Sequence, residues 1–465
     1  MTETEVLHTM SDTIAAISTG NVLAGIGILR LSGDDAIAVV ERVFTPLHGA
    51  PMSRRPDRLL VYGELRDKHG DRIDICLCTV SRGPHSYTGE DTAELQCHGG
   101  PTVLREGLEA LFAAGARQAR AGEFTRRAFL NGCMDLVQAE AVIDLIHAET
   151  AEAARNAAGQ LGGAVRRKTD GVYDTLVDIS AHYHAVIDYP DEDIPDFTLR
   201  GYTDALEDAA GVLARLSAGF DRGRILSAGL PTAILGLPNA GKSSLLNALL
   251  GYERAIVTEI PGTTRDTISE KVKLGGVLLD LTDTAGLRAT EDAVEALGVE
   301  RALAAAERAA LIFYLADSSR PFSREDAAQL QAACRRAPTI LVWTKGDLPK
   351  APQPPLRLDP PPAMELTVSA LNGQGLDELE QAVAALFPAP DVPAGELLTN
   401  ARQAEAVDRA LRSVRAALEA MTSGLTPDAV LTETEAAMDA LGELTGRTVR
   451  EDITDRIFAR FCVGK

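Results

Sequence analysis

Residues 236–243 read Gly-Leu-Pro-Asn-Ala-Gly-Lys-Ser, a complete G-x-x-x-x-G-K-[ST] phosphate-binding loop. Gly236 and Gly241 allow backbone N–H groups to close around phosphate oxygens, and the N-terminus of a following helix adds partial positive charge. Lys242 can reach the outer phosphates, and the Ser243 hydroxyl can hold Mg²⁺. The motif therefore predicts binding of a nucleoside triphosphate.

Two later segments supply groups that act near the γ-phosphate. Asp283-Thr-Ala-Gly286 matches D-x-x-G, in which the carboxylate supports Mg²⁺ through water and the glycine N–H meets the γ-phosphate. Residues 262–266, Gly-Thr-Thr-Arg-Asp, lie between this motif and the phosphate loop, and Thr264 is the best candidate there for a second Mg²⁺ ligand. Their order along the chain indicates a GTPase.

Two further segments predict that the base is guanine. Residues 344–347, Thr-Lys-Gly-Asp, stand where N-K-x-D reads guanine in GTPases, so Asp347 would accept both N–H donors of the base. The first position is Thr344 in place of Asn, and its hydroxyl can still tie the phosphate loop to this segment. Ser369-Ala370 would meet the guanine carbonyl through backbone N–H groups.

The groups for hydrolysis differ from those of many regulatory GTPases. The residue after D-x-x-G is Leu287, which cannot orient water as the usual glutamine does, and no arginine finger is evident. Glu295 is the candidate for orienting water, although its spacing alone is more typical of a solvated helix-face carboxylate. Asn239 offers an oxygen within the loop for a monovalent cation, and K⁺ there could replace the missing positive charge.

The elements that must position these residues alternate between apolar strands and amphipathic helices. This alternation predicts a parallel sheet with crossover helices, with strands at 231–237, 277–283, 309–316, 338–344 and 364–369. Residues 243–250 predict the helix that follows the phosphate loop. Before this region the chain mixes strands and helices to about residue 131, with strands at 26–31, 58–65, 72–80 and 93–97 and a helix to about 114.

Two Ala-rich segments are helical in period, one at about 134–223 and one after residue 393. The second predicts helices at 400–422, 428–444 and 449–461. Their similar texture indicates one helical domain into which the nucleotide domain is inserted. We therefore expect four segments: 1–131, 132–228, 229–388 and 389–465.

Composition places limits on function. The formal net charge of −21 over 465 residues argues against a broad electropositive surface for nucleic acid, so any RNA contact needs local basic residues or a partner protein. Six cysteines without a C-x-x-C pair indicate reduced thiols in a cytosolic protein. No run of about 20 apolar residues is present, and the acidic N-terminus does not resemble a signal peptide. We therefore expect a cytoplasmic protein.

The whole chain resembles the family of the tRNA modification GTPase MnmE, also called TrmE. The most specific matches lie outside the GTPase motifs, at residues 25–33, 86–101, 122–131 and 135–141 and in the terminal Phe-Cys-Val-Gly-Lys of 461–465. The resemblance implies a multidomain α/β protein. It would have an N-terminal α+β domain like folate-binding domains, a central all-α helical domain and an inserted Ras-like P-loop GTPase domain with a mostly parallel sheet and helices on both of its faces.

For the nucleotide site, the resemblance implies that Ser243 and Thr264 hold Mg²⁺ and that Glu295 positions water. It implies K⁺ coordination by Asn239 with oxygens of Thr258, Ile260 and Thr263, and ordering of the two switch segments by Arg265 and Arg288. The residues expected to line bound GTP are Asn239, Ala240, Gly241, Lys242, Ser243, Ser244, Thr258, Glu259, Ile260, Pro261, Gly262, Thr263, Thr264, Asp283, Thr284, Ala285, Gly286, Thr344, Lys345, Asp347, Ser369 and Ala370.

For the N-terminal domain, the resemblance implies that Arg30, Glu94 and Lys465 contact a tetrahydrofolate derivative. Cys133 occupies a position that is usually basic in the family, which puts that single contact in doubt. Cys462 stands in the terminal motif. A lone cysteine near a C-terminus is usually inert, whereas the family match favours a catalytic function for Cys462. The sequence leaves open whether it acts as nucleophile or acid, or is only structural.

The implied function is GTP hydrolysis coupled to installing a carboxymethylaminomethyl or aminomethyl group at C5 of the wobble uridine of certain tRNAs. The implied partners are a second copy of the chain, bound through the N-terminal domain, and the FAD-dependent protein MnmG, which would bring flavin and much of the tRNA-binding surface. The alternative is a regulatory GTPase that binds ribosomes or rRNA and modifies nothing. Such proteins commonly carry a basic RNA-binding appendage, which this sequence lacks.

Overall fold

The computed structural model describes residues 12–20, 22–188, 199–252, 270–281, 307–353, 358–388, 392–448, 454, 457–459 and 461–464. The chain divides into two compact units. The first contains residues 1–143, 160–210 and 409–465, and the second contains residues 144–159 and 211–408. The described helices are all too short or too polar to span a lipid bilayer.

The helices lie mainly in the segments with helical period. In chain order they are α1 (Ala36–Val43), α2 (Pro101–Ala113), α3 (Glu123–Leu130), α4 (Leu136–Ile146), α5 (Ala151–Leu161), α6 (Ala164–Asp188), α7 (Leu199–Ala218), α8 (Phe220–Ala228), α9 (Lys242–Tyr252), α10 (Arg324–Cys334), α11 (Leu376–Leu386), α12 (Ala401–Thr422) and α13 (Pro427–Thr445).

Seven strands form one sheet in the first unit: β1 (Ile14–Ile17), β2 (Ile26–Ser32), β3 (Phe44–Pro46), β4 (Val61–Arg66), β5 (Arg72–Ser81), β6 (Thr92–His98) and β7 (Arg117–Gln118). Their order across the sheet is β3-β4-β5-β6-β2-β1-β7. Neighbours are antiparallel except β1 and β7, which are parallel. The sheet therefore places β2 and β6 side by side near its centre.

Side chains of the central strands β2 and β6 alternate between the two faces of this sheet. Leu29 and Leu31 of β2 and Leu95 of β6 are fully buried in a core that also contains residues of α1 and α2. Successive strand residues point to opposite faces. Arg30 and Glu94 therefore lie on the other face, directly opposite each other in the β2–β6 register.

Helices of the first unit are joined by both apolar and polar contacts. In the pair α6 and α13, the buried hydroxyls of Ser180 and Thr434 are hydrogen-bonded at 2.9 Å. The start of α4 is capped reciprocally: Asp135 Oδ1 accepts from the Gln138 N–H at 2.7 Å, and Gln138 Oε1 accepts from the Asp135 N–H at 3.0 Å. These bonds satisfy donors that a helix start otherwise leaves unpaired.

Six strands form the sheet of the second unit: β8 (Leu230–Leu235), β9 (Glu270–Leu274), β10 (Val277–Leu281), β11 (Leu311–Asp317), β12 (Thr339–Thr344) and β13 (Met364–Thr367). Their order is β13-β12-β11-β8-β10-β9. All pairs are parallel except β9 with β10, which is an antiparallel hairpin. The carboxyl ends of β8, β11 and β12 consequently meet at one edge, where ligands bind in sheets of this kind.

Helices cover both faces of this sheet. On one face, Phe313 and Val342 belong to a core that includes Leu245 of α9 and Val383 of α11. On the other face, Trp343 packs in a cluster that contains Leu330 of α10. Burial on both sides explains why β11 and β12 are apolar except at their ends instead of alternating. The fold class expected from the sequence is confirmed for the part of the chain that is described.

The predicted strands of the second unit are present with ends shifted by a few residues, whereas β9 was not predicted. Its sequence, Glu-Lys-Val-Lys-Leu, is largely polar, and its pairing with β10 depends on the turn at Gly275 and Gly276, which have φ values of 61° and 78°. Left-handed residues at both turn positions match a tight two-residue hairpin. The sequence signal that could have predicted this hairpin is the Gly275-Gly276 pair directly before the apolar strand β10.

Candidate functional site

The phosphate loop connects β8 to α9 at the carboxyl edge of the second sheet. Gly236 has a φ of 144°, and a Cβ at this position would lie 2.4 Å from the Leu315 carbonyl oxygen of β11. Only glycine fits so close to a neighbouring strand. The loop is thereby held against β11, with Asn239 exposed at its outer part in a left-handed conformation (φ 63°).

The Lys242 side chain folds back and bonds to the start of the phosphate loop. Its Nζ donates to the carbonyl oxygens of Gly236 at 2.7 Å and Leu237 at 3.0 Å. Burial lowers the pKa of this ammonium group. An ammonium has three donors, so a lysine held in this way can also donate to a phosphate oxygen at the loop.

The N-terminus of α9 directs backbone donors toward the same place. The helix begins at Lys242, so Ser243 and Ser244 lie in its first turn and are exposed. Ala240 is fully buried beneath them, and the Leu245 N–H donates to the Gly241 carbonyl at 2.9 Å. The first N–H groups of a helix lack partners within the helix and favour an anion.

Thr344 joins the phosphate loop to the segment expected to read guanine. It ends β12 and is 5% exposed. Its hydroxyl lies 2.7 Å from the carbonyl oxygen of Ala240 and 3.2 Å from that of Ala316. The sequence predicted that the Thr344 hydroxyl would connect the phosphate loop to this segment in place of Asn. The hydrogen bond to Ala240 confirms that prediction.

The residues after Thr344 are fixed by their own partners. The Asp347 carboxylate accepts from the Ser369 hydroxyl at 2.6 Å, which brings the two predicted base-reading segments together. The Ser369 N–H donates to the Gln374 carbonyl at 2.8 Å. Lys345 has a left-handed backbone (φ 56°), and its Nζ lies 2.7 Å from Asp317 Oδ2. Sequence reasoning missed Asp317, whose signal was a carboxylate at the end of an otherwise apolar strand.

Several predicted residues lie outside the described part of the chain. These are Thr258, Glu259, Ile260, Pro261, Gly262, Thr263, Thr264, Arg265, Asp283, Thr284, Ala285, Gly286, Arg288, Glu295 and Lys465. Their assigned roles stay predictions.

A second polar site lies on the face of the first sheet that carries Arg30 and Glu94. Arg30 Nε is 2.8 Å from Glu94 Oε1, and the two side chains are 20% and 28% exposed. The Arg30 guanidinium carbon lies 5.4 Å from the ring centre of Tyr87 and 5.8 Å from that of Phe124. Aromatic faces attract a guanidinium at such distances. The site thus places the Arg30–Glu94 ion pair beside two aromatic rings. This arrangement suits a planar polar ligand.

Helix α3 holds the loop that carries Tyr87. The Tyr87 hydroxyl is 3.0 Å from Thr125 Oγ1, and Asn131 Nδ2 donates to the Thr88 carbonyl at 2.7 Å. Cys133, just beyond the helix, packs against the same loop, because a Cβ at Gly89 would lie 3.0 Å from its Sγ. The unusual residue noted in the sequence therefore sits beside this site as an exposed thiol.

A partly buried ion network also joins α3 to this loop. Arg127, only 3% exposed, pairs with Glu90 at 3.0 Å, Asp12 at 2.8 Å and Glu123 at 3.2 Å. Arg117 also bonds Glu123. Removing one member of such a network leaves uncompensated buried charge. The network therefore stabilises the positions of α3 and of the loop with Glu90.

This network predicts acid sensitivity. Burial alone would raise the pKa of Glu123, but hydrogen bonds from Arg117 and the Arg120 N–H, with the charges of Arg117 and Arg127, lower it to about 2 from 4.5. A lowered folded-state pKa means that the ionised group stabilises the fold above pH 4.5, and that this contribution is lost as pH falls toward 2. Glu123→Gln should therefore lower the thermal unfolding temperature most above pH 4.5.

The measurement is thermal unfolding of parent and variant across this pH range, with Glu106→Gln, at an exposed glutamate of α2, as control. The difference between parent and Glu123→Gln should shrink steadily as the solution is acidified. A difference that stays constant with pH would contradict the assigned pKa.

The C-terminal tail docks on the first sheet. The Ser18 hydroxyl donates to the Gly464 carbonyl at 2.9 Å, and Val463 forms an antiparallel bridge with Ala121. A Cβ at Gly464 would lie 2.3 Å from the Ile17 carbonyl oxygen, so the close approach requires glycine. The tail thus reaches the segment just before α3, with Cys462 exposed.

Comparisons with known proteins identify the family to which the chain belongs. A family model described as the MnmE helical domain matches residues 136–462, and one described as the GTP-binding protein TrmE N-terminus matches residues 13–133. The tRNA modification GTPase MnmE of Symbiobacterium thermophilum is 46% identical over 455 residues, covering 98% of this chain and 99% of the relative. That of Chloroflexus aurantiacus is 45% identical over 463 residues, covering 98% and 100%. The chain therefore belongs to the MnmE family of tRNA modification GTPases.

Proposed function

We propose that this chain hydrolyses GTP and uses the accompanying conformational step in tRNA modification. The observation that carries the proposal is the 2.7 Å bond between the Thr344 hydroxyl and the Ala240 carbonyl. One guanine nucleotide must span the phosphate loop and the base-reading segment, and this bond supports their acting as one site. The names of relatives at 45% and 46% identity support tRNA as the substrate.

Guanine would be read by Asp347, with its carboxylate already oriented by Ser369. Because the Ser369 N–H donates to Gln374, the contact with the guanine carbonyl falls to Ala370. The phosphates would be bound by the loop N–H groups, the α9 N-terminus and Lys242. Glu295 would orient the attacking water in place of the glutamine that Leu287 replaces.

Two cations fit the residues of the phosphate loop. Ser243 lies in the first turn of α9, where a hydroxyl can bind Mg²⁺ together with Thr264. Asn239 is exposed and left-handed in the loop, which suits K⁺ binding by its side-chain oxygen with Thr258, Ile260 and Thr263. Bound cations would supply positive charge at the phosphate oxygens.

The face of the first sheet that carries Arg30 and Glu94 would bind a tetrahydrofolate derivative. Arg30 and Glu94, with Lys465 of the tail, would hold it, and the one-carbon unit would build the carboxymethylaminomethyl or aminomethyl group at C5 of the wobble uridine. The paired charge beside Tyr87 and Phe124 supports a planar polar ligand here. The flavin would come from an FAD-dependent partner, MnmG, in a complex with tRNA.

For the domains we propose 1–131 for folate binding and dimerisation, 132–228 and 389–465 for the helical domain, and 229–388 for GTP. Two copies would associate through their N-terminal domains. The two GTP domains would then approach each other when GTP and K⁺ order residues 262–266. The net charge of −21 supports leaving most tRNA contacts to the partner protein. A cytoplasmic location, where tRNA is modified, is part of the same proposal.

The cation role of Asn239 gives a direct test. Asn239→Ala should abolish the stimulation of GTP turnover by K⁺ while leaving GDP binding nearly unchanged, because the loop N–H groups and Lys242 remain. Turnover is measured in K⁺ and in Na⁺ at equal ionic strength, for parent and variant. Equal turnover of the parent in the two salts would refute the proposed cation site.

A further inference from the structure

Asp317 lies where the nucleotide-reading segments meet, although no motif includes it. It ends β11 and stands opposite Thr344 in the β11–β12 register. Its side chain is 8% exposed, whereas that of Lys345 is 38% exposed. The carboxylate is therefore buried at the edge of the sheet, and the lysine reaches in from solvent to meet it.

The two carboxylate oxygens of Asp317 have separate partners. Oδ2 accepts from Lys345 Nζ at 2.7 Å. Oδ1 accepts from the Ser319 N–H at 2.9 Å and from the Ser319 hydroxyl at 2.6 Å. Burial by itself would raise the pKa of Asp317, but these bonds and the lysine charge lower it. One oxygen thus stabilises the turn after β11, and the other holds the lysine.

Holding the lysine has a consequence for ligand binding. A lysine side chain loses rotamer entropy when it is ordered. Lys345 and Asp347 flank Gly346, whose N–H donates to the Val368 carbonyl at 3.1 Å. With the segment fixed in this way, the Lys345 stem can lie along the face of a purine whose edge Asp347 binds. Ordering that stem beforehand reduces the entropy lost on binding.

We propose that Asp317 is a positioning residue that sets the affinity for guanine nucleotides by holding Lys345 in place for the base. This inference rests on the proposed binding of guanine nucleotides at this site. Asp317 acts through Lys345 and contacts no reacting atom, so it should affect nucleotide retention and leave the rate of hydrolysis at saturation unchanged.

Asp317→Asn tests the proposal in the full-length protein. The variant keeps one acceptor for Ser319 but replaces the charge that holds Lys345. The dissociation constant for a fluorescent GDP should rise about tenfold, as expected for a lost charge-assisted hydrogen bond. KM for GTP should rise by a similar factor, and kcat should stay within about twofold.

Two controls separate this role from a structural one. Ser319→Ala removes a hydrogen bond to the other oxygen of Asp317 and should leave the affinity within about twofold. Asp221→Asn removes an exposed carboxylate of the same unit, 85% exposed, and should have no effect. If Ser319→Ala weakens GDP binding as strongly as Asp317→Asn, the Asp317 carboxylate acts by stabilising the turn after β11, and the proposal is wrong.

A double variant keeps the test valid even if Asp317→Asn alone is unstable. Removing both partners of a buried pair costs less stability than removing one. Asp317→Asn in a Lys345→Met background should therefore bind GDP no more weakly than Lys345→Met alone, and a further loss would overturn the proposal. A parent protein that binds no guanine nucleotide would refute the proposed function. A parent that binds GDP with the same affinity as Asp317→Asn would refute this inference only.

Discussion

Removal of residues 462–465 is expected to leave GTP hydrolysis intact and to abolish tRNA modification. The phosphate loop and the base-reading segments all belong to residues 211–408, and the described tail belongs to the other compact unit. The tail contacts Ser18 and Ala121, which adjoin β1 and α3 of the first sheet. Its loss should therefore disable the proposed folate site and spare the nucleotide site.

The measurement is mass spectrometry of wobble uridines from cells that carry the truncated protein in place of the parent, with GTP turnover of the purified protein as control. Gly464→Ala is a finer version of the same change. Its Cβ would lie 2.3 Å from the Ile17 carbonyl oxygen, so it should displace the tail without deleting it. Normally modified tRNA from the truncated protein would rule out the proposed role of the tail.

Glu295→Ala is expected to reduce GTP hydrolysis by on the order of 10²-fold or more, with GTP affinity nearly unchanged. Leu287 follows D-x-x-G and has no group to orient the attacking water. A carboxylate that positions water acts in the transition state, so its removal should lower kcat and not raise KM. Single-turnover hydrolysis at saturating protein, in K⁺ and Mg²⁺, measures this step directly.

Glu291→Ala provides the matched control, because it removes a carboxylate four residues earlier in the same segment. Its rate should equal that of the parent. If Glu295→Ala hydrolyses GTP within a few-fold of the parent rate, Glu295 has no part in the mechanism, and a solvated helix-face carboxylate becomes the correct interpretation of its position.

The success of strand prediction depended on burial. β11 and β12 are covered on both faces, so their apolar runs were visible in the sequence, and both ends fell within two residues of the prediction. β4 was expected from residue 58 but begins at Val61, because Arg58 has a left-handed backbone (φ 63°) that cannot continue a strand. The short strands β1, β3 and β7 lack a period long enough to detect and exist because neighbours pair with them.

The sequence by itself determined the phosphate loop, since its function needs two glycines, a lysine and a serine within eight residues, and local backbone geometry supplies the rest. Tertiary structure decided the pairs that support the sites. Arg30 meets Glu94 across 64 positions, Lys345 meets Asp317 across 28, and Ser18 meets Gly464 across 446. Strand register and packing bring such residues together, and no local period in the sequence records which distant residue will lie opposite.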